Sequence, residues 1–181
     1  MLSATSEGIG DAALLDGVAG GDAAAFRTLF ERYYPAVHGF AARITGTPET
    51  ADEVANDTMM AIWTGAERFR GGSKVSTWIF GIAYRTAHKA LRRKGVERGR
   101  VAVDEAYDLA DETALPGETA VYHREVAGAL AALPTELRTM MQLTYYYGYS
   151  VAEVAEVSGC PPGTVKSRMH EARRRLKEVL A

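Results

Sequence analysis

Lys166, Arg168, Arg173, Arg174 and Arg175, with Thr164, Ser167, His170 and Glu171 between them, fall within twelve residues. Their chemistry is recognition rather than bond making. Guanidinium and ammonium groups pair with phosphate oxygens, while hydroxyl, imidazole and carboxylate groups on the same helix can hydrogen-bond base edges. A second basic set, Lys74, Arg85, Lys89, Arg92 and Arg93, shares a segment with Phe69, Ser73 and Trp78. An aromatic edge, a hydroxyl and a cation suit an unstacked base. A third set is acidic: Asp52, Glu53, Asn56 and Asp57. No nucleophile elbow, phosphate loop or carboxylate pair with a plausible acid and base is present, so an enzyme is not expected. The single cysteine, Cys160, excludes an internal disulfide and a Cys-based zinc site, and His38, His88, His123 and His170 lack metal-ligand spacing. No cofactor or metal is expected.

The charge is segregated in a way that the net value of −2 conceals. Residues 74–100 carry 8 basic and 1 acidic side chains, 101–127 carry 1 and 7, and 128–181 carry 7 and 5. Two basic segments on either side of an acidic one point to two contacts with a polyanion. No run approaches the roughly 18 apolar residues of a membrane span, and no basic region precedes an apolar stretch at the start. The chain reads as a cytoplasmic protein without membrane insertion.

The elements that position these sets are helical. Phe26, Leu29, Phe30, Tyr33, Val37, Phe40 and Ile44 recur at three- and four-residue steps, with Asp22 placed to cap and Gly46 to terminate. Pro35 should kink or split this helix. A second helix opens at Thr47-Pro48 and runs on Val54, Ala55, Thr58, Met59, Ile62 and Trp63. Its polar side carries the acidic set. After Gly71-Gly72 a third starts near Ser73 and buries Val75, Trp78, Ile79, Ile82 and Ala83, with Arg85, Lys89 and Arg92 beside that stripe. Trp78 fits this core stripe better than a stacking platform. Periodicity vanishes from Val96 to about Val121, where "AVDEAYDLADETALPGET" reads as a linker. Helices resume around Leu130 and Leu133, break at Pro134, restart at Thr135 and continue to Gly148. The expected fold is all-α, with helical domains at 10–95 and 124–181 and an acidic linker at 96–123.

The C-terminal pattern is the most specific. Ser150 and Glu153 form an S-x-x-E capping box, Val151, Val154, Ala155 and Val157 give a short helix, and Gly159 suits a sharp corner. Pro161-Pro162 can start a helix but not continue one, and Val165, Met169, Ala172 and Leu176 give the next helix one buried face. This is a helix-turn-helix, whose second helix enters a major groove by its N-terminal end. Cys160 reads as a small residue packed at the corner.

"GTVKSRMHEARRRL", preceded by "YSVAEVAEVSGCPP", resembles region 4 of the extracytoplasmic-function (ECF) sigma factors. "FRTLFERYYPAVHGFAARITG", "ADEVANDTMMAIW" and "RFRGGSKVSTWIFGIAYRTAHKALRRK" are similar to region 2 in order and spacing. The resemblance covers most of the chain outside the first ten residues and the linker. It implies a region 2 bundle that docks on core RNA polymerase through Asp52, Glu53, Asn56 and Asp57. It further implies melting of the minus-ten element, with Phe69, Ser73 and Lys74 lining a base site and Arg85, Lys89, Arg92 and Arg93 on the backbone. Region 4 would read the minus-thirty-five element of promoter DNA through α-helical residues 164–175. An anti-sigma factor is implied as a further partner, and the linker carboxylates Asp104, Glu105, Asp108, Asp111, Glu112 and Glu118 would mimic RNA charge in a polymerase channel. Two departures stand out. Glu171 replaces a frequent basic residue and would accept from cytosine N4, and Pro161 occupies the N-cap where Ser or Asp is usual. The competing readings are a free-standing helix-turn-helix regulator, which leaves the N-terminal domain unexplained, and a helical protein-binding scaffold, which predicts no response to promoter DNA.

Overall fold

The computed structural model describes residues 10–95 and 125–180. The helices are α1 (Asp11–Ala19), α2 (Ala23–Thr45), α3 (Pro48–Gly65, followed by a 3-10 turn at Ala66–Arg68), α4 (Val75–Arg93), α5 (125–131), α6 (Thr135–Met141), α7 (Val151–Ser158) and α8 (Pro162–Leu180). The described residues contain no strand, as the helical periodicity requires. None of these helices is long and apolar enough to cross a membrane. The acidic segment 96–123 expected as a linker lies outside the described residues, as does the RNA-mimicry assigned to it.

Local chemistry sets most boundaries. Asp22 caps α2, its Oδ1 accepting from the Ala24 and Ala25 amides at 2.8 and 3.2 Å. Gly46 ends it at φ 75°, donating to the Ala42 carbonyl. Pro35 does not split α2, which is continuous across it. Pro35 and Glu31 are exposed, so water can satisfy the carbonyl that proline leaves without a donor. Thr47 precedes α3 as expected, but its hydroxyl meets that of Thr50 at 2.6 Å rather than a backbone amide.

Helix α1 has no counterpart in the sequence reading. Gly10 offers no side-chain cap and Gly17, a poor helix former, lies inside the helix, yet Leu14, Leu15 and Val18 are buried. A Cβ at Gly17 would lie 2.9 Å from that of Ala25, so glycine is what lets α1 approach α2. Asp11 accepts hydrogen bonds from Arg32 and Tyr33 of α2, and burial together with that carboxylate pushes the Tyr33 phenol up.

Helices α2, α3 and α4 enclose a core that includes Leu29, Phe40, Ile44, Val54, Ile62 and Ile79. Leu137, Met140, Leu143, Val154, Val165 and Met169 form the smaller core of α6 to α8. Between α6 and α7 the chain takes a π-helical turn at Gln142–Tyr146, which sequence periodicity does not signal.

The two helical domains expected from the sequence are both present, and among the described residues their buried side chains form one continuous cluster. Tyr147 packs against Phe40 and Phe80, with ring centroids at 5.8 and 4.8 Å, and donates its hydroxyl to the Ala36 carbonyl at 3.2 Å. Tyr149 also meets Phe80, at 5.6 Å. A Cβ at Gly81 of α4 would come 3.8 Å from the Val157 carbonyl of α7. Arg138, 2 % exposed, donates to the carbonyls of Ala131 and Ile44. It thereby places its charge at the C-terminal ends of α5 and α2, where helix dipoles favour a cation. Gly39 of α2, Gly81 of α4, Arg138 and the rings of Tyr147 and Tyr149 account for this union.

Candidate nucleic-acid interface

Helix α7 positions the corner. Ser150 Oγ accepts from the Glu153 amide at 3.3 Å, while Glu153 Oε2 accepts from the Ser150 amide and hydroxyl at 2.9 and 2.8 Å. The capping box anticipated in the sequence is complete. Gly159 turns the chain at φ 66°, a conformation glycine adopts without penalty. Cys160 is half-buried at that corner, its Sγ 3.1 Å from Ser158 Oγ. The carbonyl of Pro161 accepts from the Thr164 and Val165 amides, so α8 starts without a side-chain cap.

Val165, Met169 and Ala172 form the buried stripe of α8. Lys166, Ser167, His170, Arg173, Arg174 and Arg175 are exposed, and Thr164, Arg168 and Glu171 are half-buried. The side chains diverge in their bonding. Ser167 Oγ donates to the Thr164 carbonyl at 3.0 Å and Arg173 Nε to the Met169 carbonyl at 3.1 Å. Arg168 pairs with Glu136 of α6 at 2.9 Å. Glu171 accepts from Arg174 Nε and Nη2 at 2.9 and 2.8 Å and from Arg175 Nε at 2.6 Å. Those arginines hold its carboxyl down at about 2.

In the N-terminal bundle, Phe69 and Trp78 are both half-buried and meet edge to face at 5.6 Å. Trp78 is therefore partly core, as its spacing suggested, and partly the wall of the loop carrying Gly71, which has φ 70°. Ser73 is half-buried, and Lys74 is exposed at the N-cap of α4. The Lys74 ammonium lies 2.7 Å from Glu153 of α7. Sequence reasoning saw in Glu153 only a capping residue. Here it also bridges the domains, and Lys74 first, then Ser150, holds its carboxyl at about 2.

Arg85, Lys89, Arg92 and Arg93 are exposed along one side of α4. On α3, Asp52, Asn56 and Asp57 are exposed and Glu53 is half-buried. The two sets are adjacent: Glu53 pairs with Arg93, which holds its carboxyl below the usual range. A cleft of about 250 Å³ between α3 and α4 is lined by Glu53, Asp57, Lys89 and Arg93. Asp52 pairs with His38 of α2 at 3.0 Å. Met60, 58 % exposed, extends the acidic face by one turn. The sequence offered no reason to select it, since the adjacent Met59 fills the core.

Residues 29–96 match the Sigma-70 region 2 family and residues 123–176 the Sigma-70, region 4 family. The ECF RNA polymerase sigma factor SigM of Mycobacterium tuberculosis is 36 % identical over 170 residues, spanning 94 % of this chain and 84 % of that protein. Among solved structures, CnrH in complex with the cytosolic domain of CnrY is similar with a TM-score of 0.67 and 27 % identity, covering 94 % of this chain and 96 % of that one. The sigma factor RpoE in complex with the anti-sigma factor NepR, from Bartonella quintana, is similar with a TM-score of 0.65 and 26 % identity over 86 % and 96 % of the two chains. A region 2 bundle followed by a region 4 helix-turn-helix, in a chain this close to SigM along nearly its whole length, belongs to the ECF RNA polymerase sigma factors.

Proposed function

We propose that this protein is a non-enzymatic specificity subunit that docks on core RNA polymerase in the cytoplasm and directs it to promoters without a cofactor. The observation that carries this reading is α8: Lys166, Ser167 and His170 face solvent on the side opposite Val165, Met169 and Ala172, behind a capped α7. That arrangement lets a helix enter a major groove by its N-terminal half and read the minus-thirty-five element, with Thr164, Arg168 and Arg173 beside it. Phe69, Ser73, Lys74 and the edge of Trp78 take an unstacked minus-ten base, and Arg85, Lys89, Arg92 and Arg93 take the DNA backbone.

Asp52, Glu53, Asn56 and Asp57 dock on a basic surface of the polymerase, where exposed carboxylates set orientation and association rate more than affinity. Because Lys74 is engaged by Glu153, minus-ten binding requires that contact to break. An anti-sigma partner is supported by the bound states of the two structural relatives, one with the cytosolic domain of CnrY and one with NepR.

Run-off transcription tests the assignment: purified core polymerase, this protein and a fragmented genomic library, with transcript starts sequenced. Discrete protein-dependent starts behind a shared two-part upstream motif are expected. Their absence, with a folded and inhibitor-free preparation, overturns the reading.

A further inference from the structure

Five cations on the proposed DNA side already carry carboxylate partners from the same chain. Lys74 is on Glu153, Arg93 on Glu53, Arg168 on Glu136, Arg174 on Glu171 and Glu178, and Arg175 on Glu171. The densest of these networks lies on the recognition helix itself. Both Glu171 oxygens are engaged by three guanidinium N–H groups, and Glu178 takes the remaining Arg174 Nη1 at 2.5 Å. The spacings are i,i+3 and i,i+4, so the network follows from the helical state of α8 and needs no other part of the molecule.

We infer that Glu171 limits sequence-independent DNA affinity by masking Arg174 and Arg175 from phosphates, and does not read a base. Sequence-independent DNA binding grows with the number of phosphates neutralised, each adding about 0.9 to the slope of log affinity against log salt. A carboxylate that occupies two guanidinium groups removes them from that count. Base contacts by Lys166, Ser167 and His170 are untouched, so the sequence-independent part of the affinity falls while base reading is retained. The same occupancy leaves Glu171 little capacity to accept from a cytosine amine.

The inference rests on the proposed reading of α8 as the DNA-contacting helix. Its test uses the full chain and a fluorescent duplex without promoter sequence, titrated by anisotropy between about 50 and 200 mM salt. Gln keeps the size of Glu and its helix propensity. E171Q is expected to steepen the salt slope by about 1–2. The affinity ratio of E171Q to wild type should then grow about 4- to 16-fold from the high to the low end of that range. Adding R174Q and R175Q to E171Q should return the slope to the wild-type value or below. Promoter selection with core polymerase should yield the same upstream motif for wild type and E171Q. Equal slopes overturn the mask, and a motif altered by E171Q overturns the exclusion of Glu171 from base reading. If wild type gives no discrete starts with core polymerase, the sigma assignment itself fails; discrete starts with equal slopes remove only the mask.

Discussion

In the N-terminal bundle, Leu29, Val37, Phe40, Ile44, Val54, Ile62 and Ile79 are removed from solvent on helices of 18 to 23 residues. The C-terminal unit instead depends on α7, eight residues long, whose geometry comes from a capping box, a left-handed glycine and a neighbour in the other domain. Burial at about 25 cal/mol per Å² lets the long helices stabilise one another, whereas isolated helices of two turns are marginal. The bundle therefore holds its own shape, and the helix-turn-helix takes part of its support from α4 and α2. The two surfaces proposed to face DNA differ accordingly: the minus-ten side sits on a self-supporting bundle, and the minus-thirty-five side on a unit that leans against it.

Phe40 is where the two means of support meet, since it contacts Phe80 within the bundle and Tyr147 from the other domain. Phe40→Ala is expected to cost about 3–5 kcal/mol, the range for deleting a buried aromatic ring. Urea denaturation followed by tryptophan fluorescence, which reports the bundle through Trp63 and Trp78, and by the NMR amide signals of α7 should show both signals moving to lower denaturant together. Signals of α7 that stay at the wild-type midpoint would mean that the C-terminal unit does not use the bundle.

Gly81 offers a cleaner separation. A Cβ there meets only Arg85 and Val157 at 3.4 Å or more, so a methyl group is accommodated but an indole is not. Gly81→Trp should strain the domain contact by about 1–3 kcal/mol, as overpacking does, and push α7 off α4. Small-angle scattering should report a larger radius of gyration with helix content retained. An unchanged radius would show that the two domains do not share this contact in solution. Gly81→Ala, by contrast, should leave the radius unchanged and gain helix propensity of roughly 1 kcal/mol.

Much of this architecture was legible in the residues. Period and cap chemistry placed α2, α3, α7 and α8, and Ser150, Glu153 and Gly159 foretold the corner because each acts on its own few neighbours. The features that escaped are set by distant partners. Nothing local marks Arg138 as buried between two helix ends, or Tyr147 as the residue that spans Phe40 and Phe80. Helix α1 escaped because its glycines argue against a helix locally, while the close approach to α2 that favours Gly17 is tertiary. Glu171 was legible as an exception in a basic helix. Its i,i+3 and i,i+4 spacing to Arg174 and Arg175 was legible too, but that all three guanidinium contacts form at once is side-chain geometry that a residue list cannot supply.

Glu153 tests the smallest part of the difference between the domains, because it serves the local cap and the domain contact at once. Its folded carboxyl lies at about 2, below the ordinary 4.5, held first by Lys74 and then by the Ser150 amide and hydroxyl. A depressed carboxylate contributes stability that is present in full above 4.5 and is lost as pH falls toward 2. Wild type should therefore lose domain contact and α7 protection across that window, followed by amide hydrogen exchange and scattering. Glu153→Gln should lack that portion of the pH dependence and, at neutral pH, weaken α7 by about 1 kcal/mol through the damaged cap. Matching acid profiles for the two proteins would remove Glu153 from both roles. Lys74→Gln then divides them. It leaves the Ser150 bonds in place, so the Glu153 carboxyl should titrate between 2 and 4.5 by NMR. α7 should remain protected at neutral pH while the domain contact loosens, which would locate the contact in the ion pair and the helix in its cap.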